Sequence, residues 1–415
     1  MIFYLLNSKF EKISVIDNYE SAIWTDRYLE PGDFELYIPI NKTIPSSISI
    51  GKYLITSDSE HTMIIESIKI ETDLEDSNKL IVTGRSLESL LDRRIIWNKT
   101  AFKSGTKLQT AVKKLITDNI INPSVSARQI SNFTFSTSTD SNITSLELEA
   151  EYNDGDNLLD VINDICETNK IGYKVILNLN TKNFVFSLYA GKDRTYNSQT
   201  ANSYVEFSTR FENLFNTDYS DDIKPHKNVT LVEGPEEDVY EKVEPRGDEN
   251  PKEEGWYKYH DGEWIKTEDE VVTGSTYYKK IENEKKRERQ VVGSGSGLSR
   301  REIFTDASSV QRKETITNSD GTTDEIYLTE AEFTANLIQK GKEKLAESKR
   351  EEKFEGEVDY SGTFKYGKHY KIGDIVQIMN EYGFTGKSRV TEYIFSDDTN
   401  GLKCYPKFEM IDEEG

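Results

Sequence analysis

Short runs of alternating apolar and polar residues, separated by turn residues, open this chain and return at its far end. Phe34, Leu36 and Ile38 alternate directly after Pro31-Gly32-Asp33, and similar runs fill the stretch from Phe3 to Asp73. Successive side chains of a strand point to opposite faces, so this period predicts antiparallel strands with one face buried. Leu80-Ile-Val-Thr83 continues the pattern, and a short helix is expected from Ser86, with Leu87, Leu90 and Leu91 on one face. After Arg350 the pattern is again that of strands.

The two β regions echo one another. Gly51-Lys-Tyr-Leu-Ile, Ile64-Ile-Glu66-Ser-Ile and Lys79-Leu-Ile-Val can be laid beside Gly373-Asp-Ile-Val-Gln, Val390-Thr-Glu392-Tyr-Ile and Leu402-Lys-Cys-Tyr. This reads as two similar meanders in one chain.

Between them the period changes. Leu108, Ala111, Val112, Leu115 and Ile116 fall at three- and four-residue spacing, which predicts a helix from Thr106 to Asp118. A strand follows, with Leu146, Leu148 and Ala150 facing one way and Glu147, Glu149 and Glu151 the other. A third helix is expected from Asp156 to Lys170, ended near Gly172, and then a hairpin from Tyr173 to Tyr189 turning at Asn178 to Asn183. Farther on, Thr329 and Glu332 form a capping box for a long helix whose face is Phe333, Leu337, Ile338, Gly341 and Leu345.

One stretch stands apart in charge. Residues 233–270 hold 15 acidic and 5 basic side chains, or −10 of the net −22. Within them two strand-like runs flank Asp261-Gly262, a two-residue hairpin signal that sets Tyr259 opposite Trp264. Gly293-Ser-Gly-Ser-Gly297 reads as a flexible closure to an inserted mini-domain. Trp256, Tyr257, Tyr259 and Trp264 are its candidate glycan-contact residues, since aromatic faces stack on sugar rings; a small sheet also needs such residues simply to fold.

A net charge of −22 repels a phosphate backbone, which argues against a sequence-reading nucleic-acid binder. With 23 Tyr, 18 Phe and 4 Trp the chain nevertheless has large apolar bodies enough to fold. No run of about 18 apolar residues marks a membrane anchor, the apolar run after Met1 is too short for a signal peptide, and two cysteines cannot form a disulfide framework, so synthesis in a reducing cytoplasm is expected. Cys166 and Cys404 fall on apolar stripes and read as core sulfur. None of His61, His226, His260 and His369 has a second ligand-type residue at metal-binding spacing, and no nucleophile elbow or phosphate-cradling glycine loop occurs. The expectation is no catalytic residue, no metal and no cofactor. The Glu147, Glu149, Glu151 row reads as a solvated strand face, and Arg85, Asp92, Arg93, Arg94 and Asp193-Arg194 read as ion pairs between elements.

Several stretches carry a family likeness: Glu20-Ser-Ala-Ile-Trp24-Thr-Asp-Arg-Tyr28 with Gly32-Asp-Phe-Glu-Leu, Thr83-Gly-Arg-Ser-Leu-Glu-Ser-Leu-Leu-Asp-Arg-Arg94, Leu188-Tyr-Ala-Gly-Lys-Asp193-Arg194, Tyr366-Gly-Lys-His-Tyr-Lys-Ile-Gly-Asp-Ile-Val376 and Tyr405-Pro-Lys-Phe408. In these the chain resembles tail-tip proteins of long-tailed phages of Gram-positive hosts. The resemblance implies an α+β, multi-domain baseplate-hub fold with two β-barrel-like, tail-tube-like domains and a helix-bearing middle domain. It implies a homotrimer at the virion tail tip that caps the tail tube and opens for DNA passage, with DNA only in transit. Its implied partners are the distal tail protein and tail tube, the tape-measure protein, and receptor-binding or fibre proteins. Many relatives carry a C-terminal fibre or a peptidoglycan-cleaving domain, whereas this sequence reaches Gly415 just after its last strand, which argues against lysis as its own task.

On this reading the chain divides into an N-terminal β-barrel domain (1–100), an α+β domain (101–195), strands returning to the first barrel (196–232), an acidic inserted mini-domain (233–292), a linker strand with the long helix (293–355), and a C-terminal β-barrel domain (356–415). A tail-borne cell-wall hydrolase and a sugar-binding adhesin are the alternatives. Converging carboxylates with strongly perturbed pKa values in a cleft would favour the first, and aromatics coplanar on an exposed ridge the second.

Overall fold

The computed structural model describes residues 1–40, 47–72, 78–196, 198, 202–245, 249–260, 263–268, 275–317, 323–359, 362–383 and 385–411, with backbone alone over 314–317 and 323–326. Seven strands come first: β1 (Phe3–Leu6), β2 (Lys12–Ile16), β3 (Ser21–Arg27), β4 (Asp33–Pro39), β5 (Tyr53–Thr56), β6 (Met63–Glu71) and β7 (Lys79–Ser86). Their alternation is realised, with Phe34, Leu36 and Ile38 buried along β4. A 3-10 turn over Leu87–Leu90 stands where the short helix is expected.

The middle region holds β8 (Thr100–Phe102), α1 (Leu108–Ile116), β9 (Phe133–Ser136), α2 (Ser141–Thr144), β10 (Ala150–Tyr152), α3 (Leu158–Thr168), β11 (Gly172–Asn178) and β12 (Asn183–Tyr189). The apolar stripes of α1 and α3 meet the inward faces of β11 and β12 in one core, where Cys166 lies fully buried. Asn157 caps α3 by accepting from the backbone N–H groups of Leu159 and Asp160.

Next come β13 (Glu206–Ser208) and β14 (Leu214–Asp222), then a block of β15 (Val229–Val243), β16 (Tyr257–His260), β17 (Glu263–Lys266), β18 (Tyr277–Gly293), β19 (Glu302–Asp306), β20 (Lys313–Thr317), β21 (Thr323–Tyr327) and α4 (Glu330–Glu347). Both halves of the expected capping box at Thr329 and Glu332 are formed. The chain closes with β22 (Glu351–Val358), β23 (Ile375–Met379), β24 (Thr385–Asp398) and β25 (Gly401–Met410).

Thirteen strands form one sheet whose main path runs β14-β22-β25-β24-β3-β4-β7-β6-β5-β1-β2, with β23 on β24 and β13 on β23. The two meanders, expected as separate barrels, are joined here by β3 and β24, and among the described residues this path does not close on itself. They also share one core, in which Trp24, Leu54 and Leu80 belong to the same cluster as Phe207, Phe354, Val376 and Phe408.

Residues 196–232 differ from expectation. β13 pairs with β23 and β14 with β22, so they return to the last meander and not to the first. Phe207 decides the matter, since its ring meets Phe364, Tyr370 and Phe408 of the C-terminal region.

The acidic stretch is one side of a long ladder. β15 pairs with β18, and its carboxylates meet a basic strand: Asp238 holds Lys280 and Lys285 at 2.5 Å, and Glu233 holds Arg287 at 3.1 Å and Arg289 at 2.7 Å. The ribbon therefore starts at Val229 and not at 233, and its base forms a small core with α4 through Val232, Val292, Phe333 and Leu337. Tyr259 does stand opposite Trp264, as expected, while Asp261 and Gly262 lie outside the described residues.

Candidate functional site

The structure concentrates its buried charge where the two meanders meet. β3 and β24 pair from Glu392↔Arg27 through Phe395↔Trp24 to Asp398↔Ser21, with Trp24 and Phe395 buried on the inner face and Arg27 3.2 Å from Glu392 at one end. Trp24 also stacks on Phe3 and meets Phe34, so the seam is continuous with the first meander's core.

Asp26, the next inward residue of β3, is buried and accepts from Trp24 Nε1 at 3.1 Å, from Ser59 Oγ at 2.8 Å and from Tyr366 Oη at 2.9 Å. Buried beside it is His61, whose Nδ1 lies 3.3 Å from Glu88 Oε1, and that oxygen also accepts from the Val175 N–H at 2.8 Å. Burial disfavours the imidazolium, but Asp26 and Glu88 outweigh it and push the His61 pKa up to about 9. Burial raises Asp26 more than His61 and the hydroxyl donors lower it, whereas for Glu88 burial is outweighed by His61, Ser86 and the Val175 N–H together, which bring it down. This network ties the first meander (Asp26, His61), the middle region (Val175) and the second meander (Tyr366) together.

Tyr28 makes a second three-way contact. A Cβ on Gly172 or on Gly373 would come within 2.4 Å of its ring, so both positions need glycine for the close approach. Its hydroxyl donates to the Lys170 carbonyl and accepts from Arg389, each at 3.2 Å. Beside these junctions lies a cleft of about 790 Å³ lined by Glu60, His61, Lys174, Lys371 and Asp374 among others. Lys174 and Lys371 both bind Glu60, and Asp374 is held by Arg194 at 2.6 Å, so these charges are neutralised locally.

The residues singled out from the sequence fall mostly into such pairs. Arg85 binds Glu66 and Asp92, Arg93 binds Glu66, and Arg194 binds Asp374, as expected of inter-element ion pairs; Arg94 departs by donating to the Arg128 carbonyl instead. The Glu147, Glu149, Glu151 row is not one solvated face. Glu147 is exposed and pairs with Lys107, but Glu151 is buried against Lys99 at 2.5 Å, and burial raises its pKa. The four aromatics of the insertion do not share an exposed ridge either. Trp256 is buried near Tyr277, Tyr257 meets Tyr240 edge-on at 5.1 Å, and Trp264 stacks on Tyr240 at 4.0 Å. Tyr259, 45% exposed, keeps the most open surface.

Sequence reading found the repeat and matched Gly51 with Gly373, but set the second and third strands one residue off. Gly51 and Gly373 have φ of +83° and +88°, and their N–H groups donate to Ile65 and Val390, while Ile65 and Val390 donate back to Lys52 and Asp374. Ile65 thus matches Val390, and the next residues, Glu66 and Thr391, are bulges at the same place in both meanders. Carrying the register across, Leu80 matches Cys404, Phe34 matches Phe354 and Trp24 matches Tyr219. The repeated unit is therefore five strands, β3-β4-β7-β6-β5 in the first copy and β14-β22-β25-β24-β23 in the second. The bulge hid the register, because an extra residue restores alternation on the far side of the slip.

Among solved structures, a 43 kDa tail protein of prophage MuSo2 from Shewanella oneidensis is similar, at 12% identity and a TM-score of 0.53 with 98% of each chain covered. The tail protein from Neisseria meningitidis MC58 is similar at 12% identity and a TM-score of 0.51, covering 98% of this chain and 95% of that one. The fold is thus that of phage tail proteins. No curated protein matches the chain. The family model described as Siphovirus ReqiPepy6 Gp37-like protein matches residues 2–408.

Proposed function

The chain belongs to the Siphovirus ReqiPepy6 Gp37-like family, and on that premise we propose that it is a structural hub of the tail tip. In this reading three copies form a closed ring that caps the tail tube, anchors neighbouring tail proteins and opens for DNA. The observation that carries the proposal is the doubled five-strand unit, joined within one chain by the β3 and β24 pairing. Two like units per chain give six like positions in a trimer, which suits continuation of a sixfold tube. The distal tail protein, the tape-measure protein and receptor-binding or fibre proteins are its proposed neighbours. Its work is mechanical and not catalytic, a reading supported by the local pairing of Asp26 with Trp24, Ser59 and Tyr366, of Glu88 Oε1 with His61 and the Val175 N–H, and of Glu60 with Lys174 and Lys371. The net charge of −22 suits a passage that does not hold DNA.

A reconstruction of assembled tails tests the proposal. Three copies at the tip, with alternating meanders around a channel poor in Lys and Arg, are expected. One copy, six equivalent copies, or a channel lined with basic residues would overturn it. Wall-degrading activity of the purified protein, abolished by one carboxylate-to-amide change, would overturn the non-catalytic part.

A further inference from the structure

The seam between the meanders is made once inside each chain, and the repeat says where its counterpart lies. At the seam, β24 of the second unit pairs with β3 of the first. The strand that matches β24 in the first unit is β6, and the strand that matches β3 in the second is β14. Beyond Ile65 the edge of β6 that β5 has left has no strand against it among the described residues, and β14 stands at the end of the sheet. Resting on the hub reading above, we infer that β6 of one copy pairs with β14 of the next, reproducing the internal seam between chains.

The register follows from the seam. Trp24↔Phe395 becomes Tyr219↔Ile70, and the neighbouring pairs are Ser67↔Asp222, Ile68↔Asp221, Lys69↔Ser220 and Glu71↔Asp218. Exposure separates the seam from its counterpart as this requires. Trp24 and Phe395 are 0% and 5% exposed, whereas Tyr219 and Ile70, at the same places in the repeat, are 36% and 49% exposed. Tyr219 already has its hydroxyl on Glu352 and its ring beside Phe354, so the pairing brings the remaining open part of its ring against Ile70. On the opposite face Lys69 falls between Asp218 and Asp222 as a diagonal neighbour of both, while the like-charged Glu71 and Asp218 fall at the ladder's end. Strand addition of this kind supplies backbone hydrogen bonds to two open edges. The contact is heterologous, since each copy offers β6 to one neighbour and β14 to the other, and it yields a ring where the rotation closes.

Paired cysteines test this on the full-length chain. Ile70→Cys with Tyr219→Cys, oxidised gently at about 100 µM, is expected to give reductant-sensitive species of two and three chains. Oxidation traps even brief encounters, so weak association still accumulates product. Lys69→Cys with Tyr219→Cys points the thiols to opposite faces and should give at least tenfold less product. The exposed edge of β2 is the rival partner for β14, tested by Val15→Cys with Tyr219→Cys. Preferential linking of that pair, equal linking of the slipped pair, or no linking by Ile70→Cys with Tyr219→Cys overturns the inference. Antibody labelling of the unmodified chain on tails is read separately. Labelling at the tip without the cross-link rejects this pairing and leaves the hub reading intact, while absence from the tip rejects the hub reading.

Discussion

The seam of β3 with β24 and the ribbon of β15 with β18 are both antiparallel ladders, yet they are held in opposite ways. At the seam the inward cross-strand residues Trp24, Asp26, Tyr393 and Phe395 are buried, and Asp26 is locked in a network with Ser59 and Tyr366. Along the ribbon beyond its base, the two long strands are bridged by ion pairs among Glu236, Asp238, Lys280, Lys285 and Arg287, all partly or fully in water, before an aromatic group of Tyr240, Trp256, Trp264 and Tyr277 gathers at the far end. Buried groups carry the cost of removing any partner, while exposed ion pairs contribute little and are screened by salt. The contrast separates a ladder that belongs to the cooperative fold from one that is attached to it.

The largest effect should come from the seam's apolar centre. Trp24→Ala is expected to cost about 4 kcal/mol, the usual size for an aromatic lost from a packed core, read as a shift in denaturant midpoint. A loss below about 1 kcal/mol would show that the sheet is not held there. His61→Gln comes next, at about 3 kcal/mol, because it leaves Asp26 and Glu88 without their cation. It also has a signature in pH. The folded state binds the His61 proton more tightly than the unfolded chain, so that stabilisation is complete below about 6.5 and is lost as pH rises through about 9. Thermal melts between pH 6 and 9.5 should show this decline in the natural chain and a flatter profile in the variant.

Effects in the ribbon should be smaller and local. Raising salt to about 1 M shortens the screening length to about 3 Å, and hydrogen exchange should then quicken in the outer part of β15 and β18 but not across the seam. Equal responses would erase the distinction. The smallest effect is expected from replacing 244–276 by a short Gly-Ser linker, which spares both long strands and the Glu237 and Glu288 contacts to Arg312. The main melting transition should be unchanged. A wider cut from 233 to 285 removes Glu237 from Arg312 and should loosen α4 as well.

Local signals in the sequence were reliable where both partners sit within a few residues. The Thr329 and Glu332 box, the stripe of α3 and the turn between β11 and β12 all formed where the spacing placed them. What could not be read was pairing across distance. Lys99, just before β8 and 52 residues from Glu151 in the sequence, is the partner of a buried carboxylate that looked solvated. The return of β13 and β14 to the second meander depends on aromatic packing by Phe207 that no local pattern announces. The acidic run looked like surplus charge because its basic partner strand lies beyond the window in which it was counted.

In the first unit β3 turns back into β4 through five residues, 28–32, while in the second the same turn between β14 and β22 is opened to admit residues 223–350, the ribbon and α4 included. A chain that carries the unit twice but this outgrowth once can decorate only alternate positions of any ring it builds. The inner surface can then repeat at one multiplicity while the outer surface repeats at half of it. On the proposed hub reading such a molecule would act as a symmetry adaptor, in which duplication supplies the regular bore and a single opened hairpin supplies the coarser pattern of sockets around it.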